Sequence, residues 1–133
     1  MVLTKKQTIE EHRKMWNWIA KRIKIYPLKM LFSLPNYNWT SLISDLKYYY
    51  LYEVKKQVFD DLDNNCFCCE YAHNKSDSCR YCPIVWSGSD KKCCGMFGEY
   101  LELISLNGYS DENKEKAYKL ALKIANLPER EGA

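Results

Sequence analysis

The chain has 133 residues, of which 47% are apolar and 28% are charged, and a net charge of +3. These values are typical of a single globular domain, here residues 1–133. No apolar run approaches the roughly 18 residues that a membrane-spanning helix needs.

The cysteine content and the first residues indicate a reducing compartment. Seven cysteines are an odd number, which would leave a free thiol in any full disulfide scheme. Residues 1–6 run into a charged segment and not into an apolar signal region. We therefore expect a cytoplasmic location, where cysteine pairs usually bind metal.

A first helix is predicted to begin at Thr4 or Thr8. Each of these residues heads a capping box, with Gln7 and Glu11 three positions on. Apolar residues then recur every three or four positions, which predicts one buried stripe. The predicted stripe contains Ile9, His12, Trp16, Ile19, Ala20 and Ile23.

The other side of this helix is a candidate binding surface. Residues 1–30 carry eight Lys and Arg against two glutamates, a net charge of +6, whereas the remaining residues carry −3. We predict that Trp18 is exposed there, where it would stack on a base or anchor a protein partner. The alternatives are a solvated helix face and a Trp18 packed beneath residues 26–32. The residues predicted on this side are Arg13, Lys14, Asn17, Trp18 and Lys21.

A second helix is predicted from an Asn38 cap to about Leu62, after irregular structure between Pro27 and Pro35. The tyrosine-rich run 48–52 has strand propensity, but the apolar stripe continues on both sides of it and favours a helix. Successive tyrosines then point in different directions, which makes Tyr49 a candidate contact. The predicted stripe contains Leu42, Ile43, Leu46, Tyr50, Val54, Val58 and Leu62.

Two cysteine pairs with the spacing C-x2-C-x9-C-x2-C predict a structural Zn²⁺ site. Iron–sulfur clusters also use four thiolates, but their cysteines usually have other spacings. Cys68 and His73 are interpreted as a small apolar filler and a surface residue. Cys93 or Cys94 could replace a ligand or lie beside the metal. The four predicted ligands are Cys66, Cys69, Cys79 and Cys82.

The C-terminal third is predicted to be helical again. Residues 84–86 are expected to pack the cysteine module onto the helices, and a short helix is expected over residues 96–106. Ser110 is predicted to cap a last helix that Pro128 ends. The predicted fold is mainly α, with helical parts 4–62 and 96–128 around a zinc module at 64–95. It becomes α+β if the module forms a short hairpin.

Four segments resemble small zinc-knuckle proteins encoded by phages and prophages of Gram-positive bacteria. In similar proteins an apolar residue often occupies the position of Cys68, and a cysteine often follows the position of Trp86. The resemblance therefore makes Cys93 and Cys94 candidate members of the metal site. It implies an accessory phage protein and carries no activity with it. The segments are His12–Ala20, Asn65–Ala72, Cys79–Trp86 and Ile124–Pro128.

The sequence favours a binding protein over an enzyme. It has no H-x-E with P-C-x-x-C, no P-loop and no H-E-x-x-H, and two histidines are too few for an HNH-type nuclease. Small phage accessory proteins are frequently antagonists of host defence, including anti-CRISPR proteins. We therefore expect a protein-binding inhibitor in the host cell cytoplasm. The alternative is a zinc-containing nucleic-acid-binding protein that uses the basic N-terminal helix.

Overall fold

A computed structural model of the chain describes residues 4–54, 83–84 and 98–129. The predicted mainly helical class is confirmed for these residues. None of the helices in the described ranges is long and apolar enough to cross a membrane. The elements are α1 Lys5–Ile25, α2 Leu28–Phe32, α3 Trp39–Tyr49, a π-helix Tyr50–Val54, α4 Gly98–Ile104 and α5 Asp111–Ala125.

Helix α1 begins at the predicted capping box. The Thr4 hydroxyl accepts from the Gln7 backbone N–H at 3.1 Å, and Gln7 Oε1 accepts from the Thr4 backbone N–H at 2.9 Å. Two backbone donors that lack an intrahelical partner are thereby satisfied. All six residues of the predicted α1 stripe are buried, together with Thr8 and Met15.

The main helix–helix contact joins α1 to α5. Ala117, Ala121 and Ile124 of α5 are fully buried, and alanines allow two helix backbones to approach closely. His12 Nε2 donates to the backbone carbonyl oxygen of Ile124 at 2.9 Å, so this buried histidine links the two helices. Its predicted place in the core is confirmed.

The segment after α1 is more regular than predicted. Residues between Pro27 and Pro35 were expected to be irregular, but Leu28–Phe32 form the short helix α2. Pro27 is compatible with this because its missing N–H falls at the helix start, where no intrahelical partner exists. Leu28 is fully buried, and Phe32 packs on Trp39 with 4.8 Å between ring centroids.

Helix α3 begins at the predicted Asn38 cap, whose side chain accepts from the Ser41 backbone N–H at 2.9 Å. The predicted helical form of the tyrosine run is confirmed, but the chain passes into a π-helix at Tyr50. A π-turn holds an extra residue and therefore rotates all later side chains. Leu51 is consequently buried, whereas Val54, predicted in the buried stripe, is 42% exposed. The predicted continuation to Leu62 lies outside the described residues.

Helix α4 is held against α1 and α3 by a buried lysine. Lys47 of α3 donates to the Tyr100 hydroxyl at 3.2 Å, and its ammonium lies 4.3 Å from the Tyr100 ring centroid. Tyr100 in turn contacts Trp16 edge-on, with 5.9 Å between centroids. The Lys47 ammonium also lies 5.4 Å from the Trp16 ring centroid, so the cation is compensated by two aromatic rings and a hydroxyl. Within the predicted helix 96–106, the structure describes a helix only at Gly98–Ile104.

Helix α5 begins at Ser110, whose hydroxyl accepts from the Asn113 backbone N–H at 3.0 Å, as predicted. Gly108 precedes it with φ +73°, a conformation that glycine adopts without strain. After α5, Glu129 forms an isolated antiparallel bridge with Ile84, which is fully buried. Ile84 is thus part of the core. The cysteine module that residues 84–86 were predicted to pack onto the helices lies outside the described residues, as do Val85 and Trp86.

Candidate protein-binding surface

An aromatic stack joins α1 to α3. The rings of Trp18 and Tyr49 are 12° from parallel, with 5.8 Å between their centroids. Trp18 also touches Tyr50 at 5.5 Å, so its inner edge packs on the core. Trp18 is therefore partly buried, between the predicted exposure and the alternative in which it packs beneath residues 26–32. Tyr49, the outer partner, is 50% exposed.

An arginine extends this stack along α1. The Arg22 guanidinium carbon lies 5.0 Å from the centroid of the Trp18 ring and 5.4 Å from that of Tyr26. Arg22 Nη1 also donates to the Tyr26 hydroxyl at 3.3 Å. These contacts hold a planar cation between two rings, an arrangement to which Arg is better suited than Lys.

Two further cations flank Trp18. Lys14 and Lys21 lie four residues before and three residues after it, so the helical repeat places them beside the indole. Both are exposed. Lys14 Nζ lies 3.7 Å from Glu11 Oε1, and the Lys14 side chain is 60% exposed although that of Glu11 is only 13% exposed. Both lysines are therefore accessible to a negatively charged partner.

More aromatic area lies exposed at the end of α3. Tyr48 and Tyr52 face each other with 4.3 Å between centroids, and Tyr48 is 59% exposed. Tyrosine adds contact area with few rotatable bonds, so it loses little entropy on binding. We call the set Lys14, Trp18, Lys21, Arg22, Tyr26, Tyr48, Tyr49 and Tyr52 the α1–α3 surface.

Arg13 does not belong to this surface. Its Nη2 donates to the backbone carbonyl oxygen of Leu127 at 3.4 Å, on the side of α1 that faces the end of α5. The structure therefore brings together four of the five predicted binding residues and separates the fifth. The four that remain are Lys14, Trp18, Lys21 and Tyr49.

The sequence prediction did not include Arg22 or Tyr26. The signal was present in their spacing, because Trp18, Arg22 and Tyr26 follow one another at intervals of four residues. Residues four apart lie side by side on a helix, and an arginine between two aromatic residues can form cation–π contacts with both. Tyr26 is the C-cap of α1, and its ring is still close enough to contact Arg22.

The phenol of Tyr50 lies under the stack and is buried. Burial, and to a smaller extent the negative charge of Glu11, raises the pKa of Tyr50 to about 12. The hydroxyl is therefore protonated at neutral pH. It is suited to packing and hydrogen bonding beneath the surface and not to proton transfer.

The predicted metal ligands lie outside the described ranges. These are Cys66, Cys69, Cys79 and Cys82, with Cys93 and Cys94 as further candidates, and Cys68 and His73 lie there too. Among residues 4–54, 83–84 and 98–129, no group of three His, Cys, Asp or Glu side chains is placed to hold a metal ion. The zinc site thus stays a prediction from cysteine spacing.

No family model, no curated protein and no solved structure matches the chain. What it does must therefore be inferred from its own residues. The α1–α3 surface has the side chains that most often dominate binding energy, namely Trp, Tyr and Arg.

Proposed function

We propose that this chain is a phage-encoded accessory protein that inhibits a host defence effector, in the manner of an anti-CRISPR protein. It acts by binding the effector through the α1–α3 surface and not by catalysis. The observation that carries this proposal is the stack of Tyr49 on Trp18, with Arg22 on the same indole. The phage origin rests on the sequence resemblance.

The geometry supports protein binding because the aromatic groups are held in place before a partner arrives. Trp18 contacts Tyr49, Tyr50 and Arg22, so little side-chain freedom remains to be lost on association. The exposed parts of Tyr48 and Tyr49 can then bury apolar area at the centre of an interface. Lys14 and Lys21 would form a polar rim around that centre.

A structural Zn²⁺ ion completes the proposal. Cys66, Cys69, Cys79 and Cys82 would hold it as four thiolates, a donor set with no open position for a substrate. Its contribution would be to folding, because a small cysteine-rich segment has little apolar core of its own. The proposed zinc site therefore agrees with a binding role and adds no chemistry.

Nucleic-acid binding is the second candidate function, and the lysines beside Trp18 favour it. Bases stack on exposed tyrosines, and Lys14 and Lys21 could each neutralise a phosphate. We rank this function second because Trp18 is already covered on one face by Tyr49 and approached by Arg22. Residues 31–133 also carry a net charge of −3, which would repel a polyanion.

A phage-plating assay tests the proposal. The chain is expressed in a Gram-positive host whose CRISPR immunity targets the phage, and in the same host without that immunity. The proposal predicts that the chain raises plating efficiency only in the immune host. Tyr49→Ala should lose most of this effect because it removes the exposed half of the stack.

Leu101→Ala is the matched control, because Leu101 is a similarly exposed apolar residue, on α4. It should protect the phage as well as the unmodified chain does. Equal plating with and without the chain in the immune host would contradict inhibition of that defence. Full protection by Tyr49→Ala would show that the inhibitory contact lies elsewhere on the molecule.

A further inference from the structure

We infer that the α1–α3 surface also associates with the same surface of a second copy of this chain. The surface is positive on its α1 side and negative on its α3 side, with the stacked rings of Trp18 and Tyr49 between the two. A surface of this kind is complementary to itself. The association involves the chain alone, so its failure would leave the proposed function standing.

The α1 side keeps a positive charge after its carboxylates are counted. Lys14, Lys21 and Arg22 lie within about one helical turn of the stacked indole. Two carboxylates lie beside them: Glu11, whose Oε1 is 3.7 Å from Lys14 Nζ, and Glu10, four residues before Lys14. These five side chains carry a net charge of +1. Helix α1 as a whole carries +5, from seven Lys and Arg against the same two glutamates.

The α3 side of the stack carries two carboxylates. Asp45 and Glu53 are exposed and lie four residues before and four residues after Tyr49, so the helical repeat places both beside its ring. The rings of Tyr48 and Tyr52, with 4.3 Å between centroids, show that the four-residue spacing still brings side chains together where the π-helix begins.

No exposed cation offsets these carboxylates within residues 39–54. The one Lys or Arg in that range is Lys47, which is buried and donates to the Tyr100 hydroxyl. Asp45 accepts from the Tyr37 hydroxyl at 2.9 Å, and this neutral donor leaves the carboxylate charge in place. The exposed side chains of this range therefore carry a net charge of −2.

A two-fold axis brings the opposite charges together. If the axis runs along the seam between α1 and α3, the α1 of each copy lies on the α3 of the other. The lysines of each copy then face Asp45 and Glu53 of the other, and this contact occurs twice in the dimer. An axis across the seam would place like charges on each other, so the charges select the first arrangement.

Both sides also expose apolar area that a second copy can bury. Tyr48 and Tyr49 on α3, and Ile25 seven residues after Trp18 on α1, are each half-exposed or more. This area supplies affinity, because exposed ion pairs alone contribute little. It is limited to a few side chains, so we expect a weak, reversible dimer. The dimer covers Tyr49 and would therefore compete with the effector.

Sedimentation equilibrium of the full chain tests the inference at concentrations of about 1 µM to 1 mM, which span weak associations. The chain should pass from monomer to dimer over this range, and Tyr49→Ala should weaken the dimer by at least about tenfold. Leu101→Ala removes a similarly exposed apolar side chain from α4 and should leave the dimer unchanged. A chain that stays monomeric, or a Tyr49→Ala variant that dimerises equally well, would overturn the inference.

Charge reversal then tests the arrangement. Lys14→Glu with Lys21→Glu makes both sides of the surface negative, whereas Asp45→Lys with Glu53→Lys makes both sides positive. Each variant alone should be monomeric. An equimolar mixture should form a one-to-one heterodimer, because every negative side then meets a positive one. Recovery in the mixture would also show that both variants are folded.

Lys6→Glu with Lys24→Glu is the matched control, since it makes the same change of net charge on another side of α1. Lys24 Nζ lies 4.9 Å from the Tyr118 ring centroid, towards α5. This variant should dimerise like the unmodified chain, and it should pair with the lysine-substituted variant at least about tenfold more weakly than the Lys14 and Lys21 variant does. Equal pairing would mean attraction by net charge alone, and it would overturn the inference, as would a mixture that stays monomeric.

Discussion

The indole of Trp18 and the phenol of Tyr49 lie face to face across α1 and α3, with 5.8 Å between centroids. The two residues have different environments, since Trp18 also packs on the core whereas Tyr49 is half-exposed. Substitution of either removes the stack, but only one of the substitutions also removes core packing. This difference allows binding and stability to be separated.

Tyr49→Ala should therefore change the free energy of unfolding by less than about 1 kcal/mol, as is usual for an exposed residue. Trp18→Ala should lower it by about 2 kcal/mol or more, because it also removes the contacts with Tyr50 and Arg22. Urea denaturation followed by circular dichroism measures both. Equal losses would mean that the two rings share the same degree of burial.

The hydrogen bond from His12 to Ile124 predicts a stability defect in His12→Phe. The ring is retained in size, but the buried carbonyl oxygen of Ile124 loses its side-chain donor. That oxygen still accepts from the Leu127 backbone N–H at 3.4 Å, so the expected loss is that of one hydrogen bond, about 1 kcal/mol. Denaturation of His12→Phe beside the exposed control Asn17→Ala measures the loss. A His12→Phe variant as stable as the control would show that this bond contributes nothing net.

The π-helix predicts unequal effects of two neighbouring substitutions. Leu51→Ala should destabilise the fold by about 2–4 kcal/mol, because Leu51 is 7% exposed. Val54→Ala should stay within about 0.5 kcal/mol, because Val54 is 42% exposed. A continuous α-helix would bury Val54 four residues after Tyr50. A larger effect of Val54→Ala than of Leu51→Ala would therefore contradict the π-turn.

The raised pKa of Tyr50 predicts a pH effect at the alkaline end. The folded-state pKa is about 12 against 10.0 for an unperturbed phenol, so folding favours the protonated form. The resulting stabilisation is fully present below pH 10 and is lost as pH rises towards 12. The pKa values of Tyr37 and Tyr109 are raised as well, by burial and by Asp45 and Asp111, so tyrosinate absorbance should show several late-titrating phenols, of which Tyr50→Phe removes one. The prediction would be refuted if the Tyr50 phenol lost its proton over the same pH range as the exposed tyrosines.

The cysteine spacing predicts one zinc ion per chain. Metal analysis of protein purified without added metal should find it, and Cys69→Ser or Cys82→Ser should lose it together with folded structure near the cysteines. Cys68→Ala is the control and should keep the metal. A fully folded preparation without zinc would contradict the prediction.

Helix starts could be predicted from the sequence because their determinants are local. Thr4, Asn38 and Ser110 each accept from the backbone N–H three residues further on, an interaction contained within one turn. The α1 stripe was predictable for the same reason, since burial there follows the period of a straight helix.

Features that depend on tertiary packing were not predictable. The turn at Tyr50 changes helix type, which alters the direction of Val54 although the apolar spacing still indicates an α-helix. Arg13 and Lys14 are adjacent in sequence, but only the packing of α5 decides that Arg13 bonds Leu127. The stack of Trp18 likewise needs Tyr49, which belongs to another helix.

The central claim is that the α1–α3 surface binds a protein, and its most direct test is a calorimetric titration. The effector that the chain inhibits in the plating assay is purified with and without its nucleic acid. Each preparation is titrated with the chain, and the bare nucleic acid is titrated in parallel. We predict that Tyr49→Ala weakens effector binding by about 2 kcal/mol, roughly thirtyfold, whereas Leu101→Ala does not. Bare nucleic acid should bind weakly near physiological salt. Tight binding of bare nucleic acid that is lost in Lys14→Glu with Lys21→Glu would contradict the claim.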